Sequence, residues 1–237
     1  MLNNKLVFAN SDIDFIDYDH LSNYFRPVLK DVLRCIDKPI NVCDVGCGNG
    51  VFTSFLKKET NCTLYGIDGS DYALEKARLL EFDELRHVSD FSTTPLPFKD
   101  ESFDLVVNKD VLEHLLHPDY LVSEMARITS GGGHLLIHVP NHFPIVGRLK
   151  LLFFNTIDPF NYFPEAHRWD FPHIRFFTKN DFHDLMYSFD LKPVANLCHH
   201  FPSFPKIGRL MTAGMKKWLT QRYPDEWAAG FTYLFQK

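Results

Sequence analysis

The stretch D-V-G-C-G-N-G at residues 44–50 decides the fold, because three glycines on alternate positions lie between an apolar segment and a helical one. Residues 40–46 form a short apolar run that is typical of a buried strand, and residues 50–59 carry apolar side chains at helical spacing. Glycines let the backbone turn sharply and approach a ligand closely. The stretch therefore predicts a ligand-binding loop between a strand and a helix.

The same alternation continues outward along the first half of the chain. Strands are predicted at 62–68, 103–110 and 134–140, with one helix at 70–81 and another that begins near Pro118. Strands that alternate with helices form βαβ units, whose parallel sheet is covered by helices on both faces. We therefore expect an α/β fold.

The second half of the chain is less regular. Residues 142–177 are rich in Pro, Phe, His and Trp, and we interpret them as an aromatic insertion or lid after the fifth strand. Residues 201–229 are interpreted as a basic amphipathic helical insertion, with its helix at 206–222. Three other elements are predicted: a helix at 178–189, a strand at 191–200 and a final strand at 230–235. We expect a single domain over residues 1–237.

Composition limits the function further. The chain is 45% hydrophobic and carries a net charge of −5, which suits a globular domain and argues against a general polyanion binder. The five cysteines have no disulfide-framework spacing, and the first residues lack the pattern of a signal peptide. No apolar run is long enough to span a membrane. We expect a cytoplasmic protein that does not bind nucleic acid.

Two cofactors compete for the glycine loop. A dinucleotide loop has the spacing G-x-G-x-x-G and places a pyrophosphate on a helix N-terminus, whereas the spacing here is G-x-G-x-G. Asp44 would repel a phosphate but would help to place an ammonium group, which S-adenosyl-L-methionine has. Asp68, at the end of the second strand, can accept the ribose hydroxyls of either cofactor and does not discriminate between them.

Three segments together resemble the successive motifs of class I S-adenosylmethionine-dependent methyltransferases: residues 42–52, 64–70 and 88–141. The resemblance implies a Rossmann-like sheet of seven mostly parallel strands with an antiparallel last strand. Beyond Asn141 the sequence is similar to MetW-like methyltransferases and to those of polysaccharide gene clusters. MetW-like proteins act with a homoserine acyltransferase, so cofactor binding alone does not establish catalysis.

The resemblance also implies which residues bind the cofactor. In the glycine loop, Asp44, Gly46 and Gly48 would contact the methionine part of the cofactor, and at the end of the second strand Asp68, Gly69 and Ser70 would contact its ribose. After the third strand, Asp90 and Phe91 would contact the adenine. At the end of the fourth strand, Asn108 and Lys109 would line the sulfonium side.

Histidines near the ends of the fourth and fifth strands are candidate general bases, because a neutral imidazole accepts a proton near pH 7. We favour His142, two residues after the fifth strand, and His114. The aromatic insertion can cover the cofactor and contact the acceptor, or it can form extra core or a dimer surface. The side chains that it offers to an acceptor are Tyr162, His167, Arg168, Trp169, His173 and Arg175.

A narrower pattern concerns metal binding. Asp110, Glu113 and His114 resemble the acid-x-x-Glu-His pattern with which some quinone-precursor O-methyltransferases hold a divalent metal, and the spacing would place the three on one helical face. Here Asp replaces the usual Glu, and many relatives carry the Leu-Glu-His segment without a metal. We therefore expect no metal.

The sequence favours a methyltransferase that moves a methyl group from S-adenosyl-L-methionine to a small molecule, with S-adenosyl-L-homocysteine as product. O-methylation by in-line displacement is preferred. One alternative is a non-catalytic, cofactor-binding, MetW-like partner of an acyltransferase, and another is an RNA or protein methyltransferase. Asn-Lys-Asp-Val after the fourth strand replaces the N-P-P-Y of base-amino methyltransferases. A homodimer or an acyltransferase complex is the expected assembly.

Overall fold

The computed structural model describes residues 18–37, 39–155, 173–199 and 211–237, and within them one sheet contains every strand. The strands are β1 (Asn41–Val45), β2 (Thr63–Asp68), β3 (Glu84–His87), β4 (Phe103–Lys109), β5 (Thr129–Pro140), β6 (Lys192–Asn196) and β7 (Gly230–Gln236). Their order is β3-β2-β1-β4-β5-β7-β6. The first five strands in this order, β3, β2, β1, β4 and β5, are parallel to one another, and β7 is antiparallel to both of its neighbours, β5 and β6. The predicted fold class is confirmed.

Helices connect the strands. They are α1 (Tyr18–Cys35), α2 (Val51–Thr60), α3 (Asp71–Ala77), α4 (Pro118–Ile128), α5 (Ile145–Phe154), α6 (Lys179–Tyr187), α7 (Ala213–Arg222) and α8 (Pro224–Trp227). Side chains cap the starts of α3, α6 and α7: Ser70 accepts the N–H of Ala73, Thr178 and Asp181 form a capping box, and Thr212 accepts the N–H of Met215. In the described part of the chain, none of these helices is long and apolar enough to cross a membrane.

Each face of the sheet has its own hydrophobic core. Along β5, Leu135, Ile137 and Val139 belong to one core and Leu136 belongs to the other, as the alternation of side chains in a strand requires. Helices α4 and α6 close the first core, and α1 and α2 close the second. The sheet is therefore buried on both faces, which explains the nearly continuous apolar strands.

The carboxyl ends of β1, β2, β4 and β5 meet at one edge of the sheet. Strand β1 lies between β2 and β4, so the direction of strand order reverses at the β1/β4 pair. Ligands of open α/β sheets bind outside the carboxyl ends at such a switch point. The glycine loop follows β1 directly, and this edge is the candidate site.

One predicted helix is shorter than the sequence suggested. Helix α7 begins at Ala213 and not at Lys206, because Thr212 is in an extended conformation and its side chain accepts the N–H of Met215. That cap satisfies a backbone N–H of the first turn and so starts the helix at Ala213. Residues 200–210 and 156–172 lie outside the described residues, so both proposed insertions and their boundaries remain predictions.

The glycine loop yields a stability prediction. Gly46 and Gly48 both have positive φ angles, 79° and 54°. A Cβ on Gly46 would lie 2.2 Å from Cγ2 of Val111, whereas a Cβ on Gly48 would meet no heavy atom within 4 Å. Gly46→Ala should therefore lower the free energy of unfolding by about 1–3 kcal/mol more than Gly48→Ala, since only the first adds overpacking to the backbone cost. Urea unfolding of both variants measures this, and equal losses would contradict it.

Candidate active site at the carboxyl edge of the sheet

The glycine loop is held against β2 by its own backbone. The N–H groups of Gly46 and Cys47 both donate to the carbonyl of Ile67, at 2.8 and 2.9 Å. Gly46, Gly48 and Gly50 all have positive φ angles, a backbone conformation that residues other than glycine rarely adopt. The space beside Gly48 is open. The loop can therefore receive a ligand against its backbone, as the sequence predicts.

Asp44, at the end of β1, is a buried acid with an unused oxygen. Its Oδ2 accepts a hydrogen bond of 2.6 Å from the hydroxyl of Thr53, while its Oδ1 is buried without a hydrogen-bond partner. Burial raises the pKa of Asp44 to about 7, although the Thr53 hydroxyl opposes the shift. A cationic group at Oδ1 would favour the carboxylate, so the site fits the predicted ammonium.

Asp68 connects the glycine loop to the start of α3. Its Oδ2 accepts the N–H of Gly48 at 2.7 Å, and its Oδ1 accepts the N–H of Ser70 at 2.9 Å. Burial raises the pKa of Asp68, and the two backbone hydrogen bonds act against this rise. Gly69 lies between Asp68 and Ser70 in the sequence, and a Cβ on Gly69 would lie 3.3 Å from the carbonyl oxygen of Val88. The predicted ribose-binding residues are thus brought together.

The loop after β3 reaches the same edge. Asp90 accepts the N–H of Ser92 and the hydroxyl of Thr93, both at 2.8 Å, so its carboxylate organises its own turn. Phe91 is only 8% exposed and belongs to the core that α4 and α6 close. Only a small part of the Phe91 ring is therefore accessible for the predicted adenine contact.

At the end of β4, the predicted sulfonium-side residues have partners within the protein. The amide of Asn108 is fully buried and donates to the carbonyl of Val45 at 2.8 Å, which joins the ends of β4 and β1. The Lys109 ammonium pairs with the carboxylate of Asp110. His138 on β5 approaches the same carboxylate, with Nε2 3.3 Å from Oδ1.

The predicted helical face of Asp110, Glu113 and His114 is wrong. Asp110 has a φ angle of 55°, and the helix is a single 3-10 turn that begins at Leu112. The left-handed residue turns the chain, and the Asp110 carboxylate pairs with Lys109 instead. Helical i, i+3, i+4 spacing therefore does not describe these three side chains.

Glu113 and His114 instead lie near a histidine pair of the aromatic segment, formed by its first residue, His142, and by His173 near its end. Nε2 of His142 and Nδ1 of His173 are hydrogen-bonded at 2.8 Å. Oε1 of Glu113 lies 3.8 Å from Nε2 of His114 and 4.0 Å from Nε2 of His173. The sequence names each histidine separately as a candidate, but it does not bring the four residues together.

Burial dominates the electrostatics of this group. It raises the pKa of the fully buried Glu113 carboxyl well above its usual value, and it lowers the pKa of His142 to about 4 and that of His173 to about 3. The imidazole rings of His142 and His173 are therefore neutral at pH 7. A neutral ring offers a lone pair to a proton or to a cation.

Backbone hydrogen bonds explain why His173 reaches this position. The N–H groups of Ile174 and Arg175 both donate to the carbonyl of Glu113, at 2.9 and 3.0 Å. The Arg175 guanidinium also donates to the carbonyls of Leu115 and Leu116. These contacts fasten residues 173–175 to the loop after β4. The Arg175 guanidinium thus binds backbone carbonyls, and its predicted contact with an acceptor remains a prediction.

Four residues that the sequence predicts to contact the acceptor lie outside the described residues, and two polar residues of this edge were not predicted. Tyr162, His167, Arg168 and Trp169 lie outside the described residues, so their acceptor contacts remain predictions. Thr53 and His138 were not singled out by sequence reasoning. Each is a polar residue on an otherwise buried face, Thr53 on α2 and His138 on β5, and that interruption of the apolar pattern was the available signal.

Curated relatives match part of the chain. This chain is 29% identical over 141 residues to an uncharacterized methyltransferase of Schizosaccharomyces pombe. The aligned stretch covers 55% of this chain and 51% of that protein. This chain is also 31% identical over 120 residues to a ubiquinone biosynthesis O-methyltransferase of Vibrio parahaemolyticus, with 47% and 51% covered. The chain spans about half the length of the curated relatives it matches.

A solved structure supports the fold. The S-adenosylmethionine-dependent methyltransferase of Mesorhizobium loti superimposes with a TM-score of 0.60 at 15% identity, covering 93% of this chain and 100% of that one. Residues 19–196, more than half of the chain, match the family described as "Methyltransferase domain". The chain therefore belongs to the methyltransferase-domain family.

Proposed function

We propose that the protein transfers a methyl group from S-adenosyl-L-methionine to a hydroxyl group of a small-molecule acceptor. The observation that carries the proposal is the group of His114, His142 and His173, which lies at the same edge of the sheet as the glycine loop. A hydroxyl acceptor must lose a proton, and neutral imidazoles can accept one. The O-methyltransferase named above, although matched over half its length, supports the same chemistry.

The residues present fit the cofactor. Asp44 has a buried, unpartnered oxygen for an ammonium group, and Gly48 leaves open space where a Cβ would otherwise stand. In our proposal Asp44, Gly46 and Gly48 bind the methionine part, and Asp68, Gly69 and Ser70 bind the ribose. Asp90 and Phe91 bind the adenine, and Asn108 and Lys109 line the sulfonium side. When bound, the cofactor supplies the methyl group and its own leaving group.

The protein contributes alignment and a proton acceptor. Val111 packs directly on Gly46, so the loop after β4 lies over the glycine loop. His142 follows β5 at the same edge, so we assign it the proton of the acceptor hydroxyl, with His114 as the other candidate. Burial lowers the pKa of His142 to about 4, and so weak a base takes the proton only as the oxygen gains the methyl group and becomes acidic. Residues 142–177 would exclude water and select the acceptor. Alignment of this kind accounts for much of the rate of a displacement.

The ribose assignment predicts a loss of cofactor affinity. Asp68→Ala removes hydrogen bonds to a charged acceptor, which are worth about 1.5–3 kcal/mol, so the dissociation constant of S-adenosyl-L-homocysteine should rise about 10- to 100-fold. Isothermal titration calorimetry measures the change. Asp71→Ala is the matched control, because Asp71 is an exposed acid in the first turn of α3. Equal affinities of the wild type and Asp68→Ala would refute the assignment.

The raised pKa of Asp44, about 7, predicts a pH-dependent affinity. An ammonium group beside the carboxylate lowers its pKa in the complex, so the affinity is complete above pH 7 and is lost as the pH falls through the free-protein value. The loss should be up to about tenfold per pH unit. Calorimetry of S-adenosyl-L-homocysteine across this range tests it. Asp44→Asn should bind weakly without that dependence, and a flat wild-type profile would contradict the contact.

The proton acceptor predicts a selective loss of turnover. His142→Ala should lower kcat by about a hundredfold or more, while the dissociation constant of S-adenosyl-L-homocysteine stays unchanged. Release of S-adenosyl-L-homocysteine with a panel of phenolic and sugar hydroxyl acceptors measures turnover. His117→Ala is the control, because His117 is an exposed histidine near the same edge. Unchanged turnover in His142→Ala would exclude this role, and methylation of amines alone would overturn the proposed function.

A further inference from the structure

We propose that Glu113, His114 and His173 form a binding site for a divalent transition-metal ion of the Zn²⁺ type. One ligand atom of each residue lies within 4.8 Å of the other two. The inference rests on the proposed function, because it assigns a cofactor to the same edge of the sheet where the acceptor is expected. It departs from the sequence-based expectation that no metal is bound.

The distances suit an ion and not a hydrogen-bonded cluster. Oε1 of Glu113 is 3.8 Å from Nε2 of His114 and 4.0 Å from Nε2 of His173. Both separations exceed hydrogen-bond length. Ligand atoms around a tetrahedral ion, with bonds of about 2.0–2.2 Å, lie about 3.4 Å apart. Small side-chain movements would therefore bring all three atoms into a single coordination sphere.

Glu113 supplies an independent observation. Its side chain is fully buried, and neither carboxylate oxygen has a hydrogen-bond partner. Buried polar groups in folded proteins are nearly always paired, because a buried, unpaired carboxyl is costly. The carbonyl of Glu113 accepts the N–H groups of Ile174 and Arg175, and these hydrogen bonds hold the residue where its carboxyl is buried. A cation between Glu113 and the two imidazoles would satisfy the carboxylate where it lies.

With an ion bound, His142 acts as a positioning residue, because Nδ1 of His173 then donates to Nε2 of His142. In that form His142 would not take the acceptor proton, and the ion would lower the pKa of the acceptor hydroxyl instead. Nε2 of His142 lies 2.8 Å from Nδ1 of His173, so the other nitrogen of His173, Nε2, is the one that faces Glu113. A hydrogen bond to the remote nitrogen is the usual support of a metal-binding histidine, because it selects the tautomer and the ring orientation. The rings of His114 and His173 also pack edge to face, with their centroids 4.6 Å apart.

The donor set indicates the ion. Two imidazoles and one carboxylate favour Zn²⁺ and neighbouring transition metals over Mg²⁺ or Ca²⁺, which prefer oxygen ligands alone. Three protein ligands leave a coordination position open, as in catalytic zinc sites. An acceptor hydroxyl oxygen would occupy that position and be oriented there. Asp110 is not part of the set, because its carboxylate pairs with Lys109 and approaches His138.

Cobalt titration of the full-length chain tests the site. After treatment with EDTA, the protein should bind one equivalent of Co²⁺, with visible absorption bands of a tetrahedral or five-coordinate ion. Glu113→Gln and His173→Gln should each weaken binding by more than about 100-fold, and His142→Ala by roughly 10- to 100-fold. His117→Gln is the control and should bind Co²⁺ like the wild type.

The outcomes separate this inference from the proposed function. Glu113→Gln removes a buried carboxyl, so we expect it to fold, and calorimetry with S-adenosyl-L-homocysteine checks that each variant is native. Absence of saturable Co²⁺ binding in the wild type, or equal binding by Glu113→Gln, would refute the metal site. If hydroxyl methylation then persists in EDTA, the proposed function stands alone. Stoichiometric Co²⁺ binding without methylation of any hydroxyl acceptor would leave the metal site and remove the function.

Discussion

The contact between Val111 and Gly46 is the constraint on which the site depends. Val111 occupies the place where a side chain of residue 46 would stand, so the loop after β4 can lie on the loop after β1 only because that residue is glycine. The same loop continues to Glu113 and His114, whose partners arrive from beyond β5. A single close approach thus joins the cofactor loop to the histidine group.

The edge of the sheet is divided electrostatically. On one side, the buried Asp44 and the half-buried Asp68 are acids near the ends of adjacent parallel strands. On the other side, burial keeps His142 and His173 neutral. Under the proposed function, the acids of the first side would stabilise a cationic methyl donor, and the second side would accommodate a neutral acceptor. Burial therefore produces opposite effects on acids and bases, and both effects suit methyl transfer from a sulfonium.

The sequence predicted those parts of the structure that local chemistry determines. The glycine loop, helix α6 and the strand that ends at Asp68 follow from turn residues and apolar periodicity. The start of α7 was missed because a single cap at Thr212 overrides a helical pattern. The left-handed Asp110 and the meeting of His173 with Glu113 depend on contacts between distant segments, which no local pattern records.

The hydrogen bond between His142 and His173 joins two residues 31 positions apart. Together with the backbone contacts from Ile174 and Arg175 to Glu113, it closes the ends of the intervening stretch against the sheet. A segment whose ends are fastened in this way can change in length and composition at small entropic cost. Under the proposed function, evolution could exchange one acceptor for another by replacing that stretch, while the glycine loop and the histidine group keep their geometry. The same two ends are natural junctions for grafting a loop from a relative with a different acceptor.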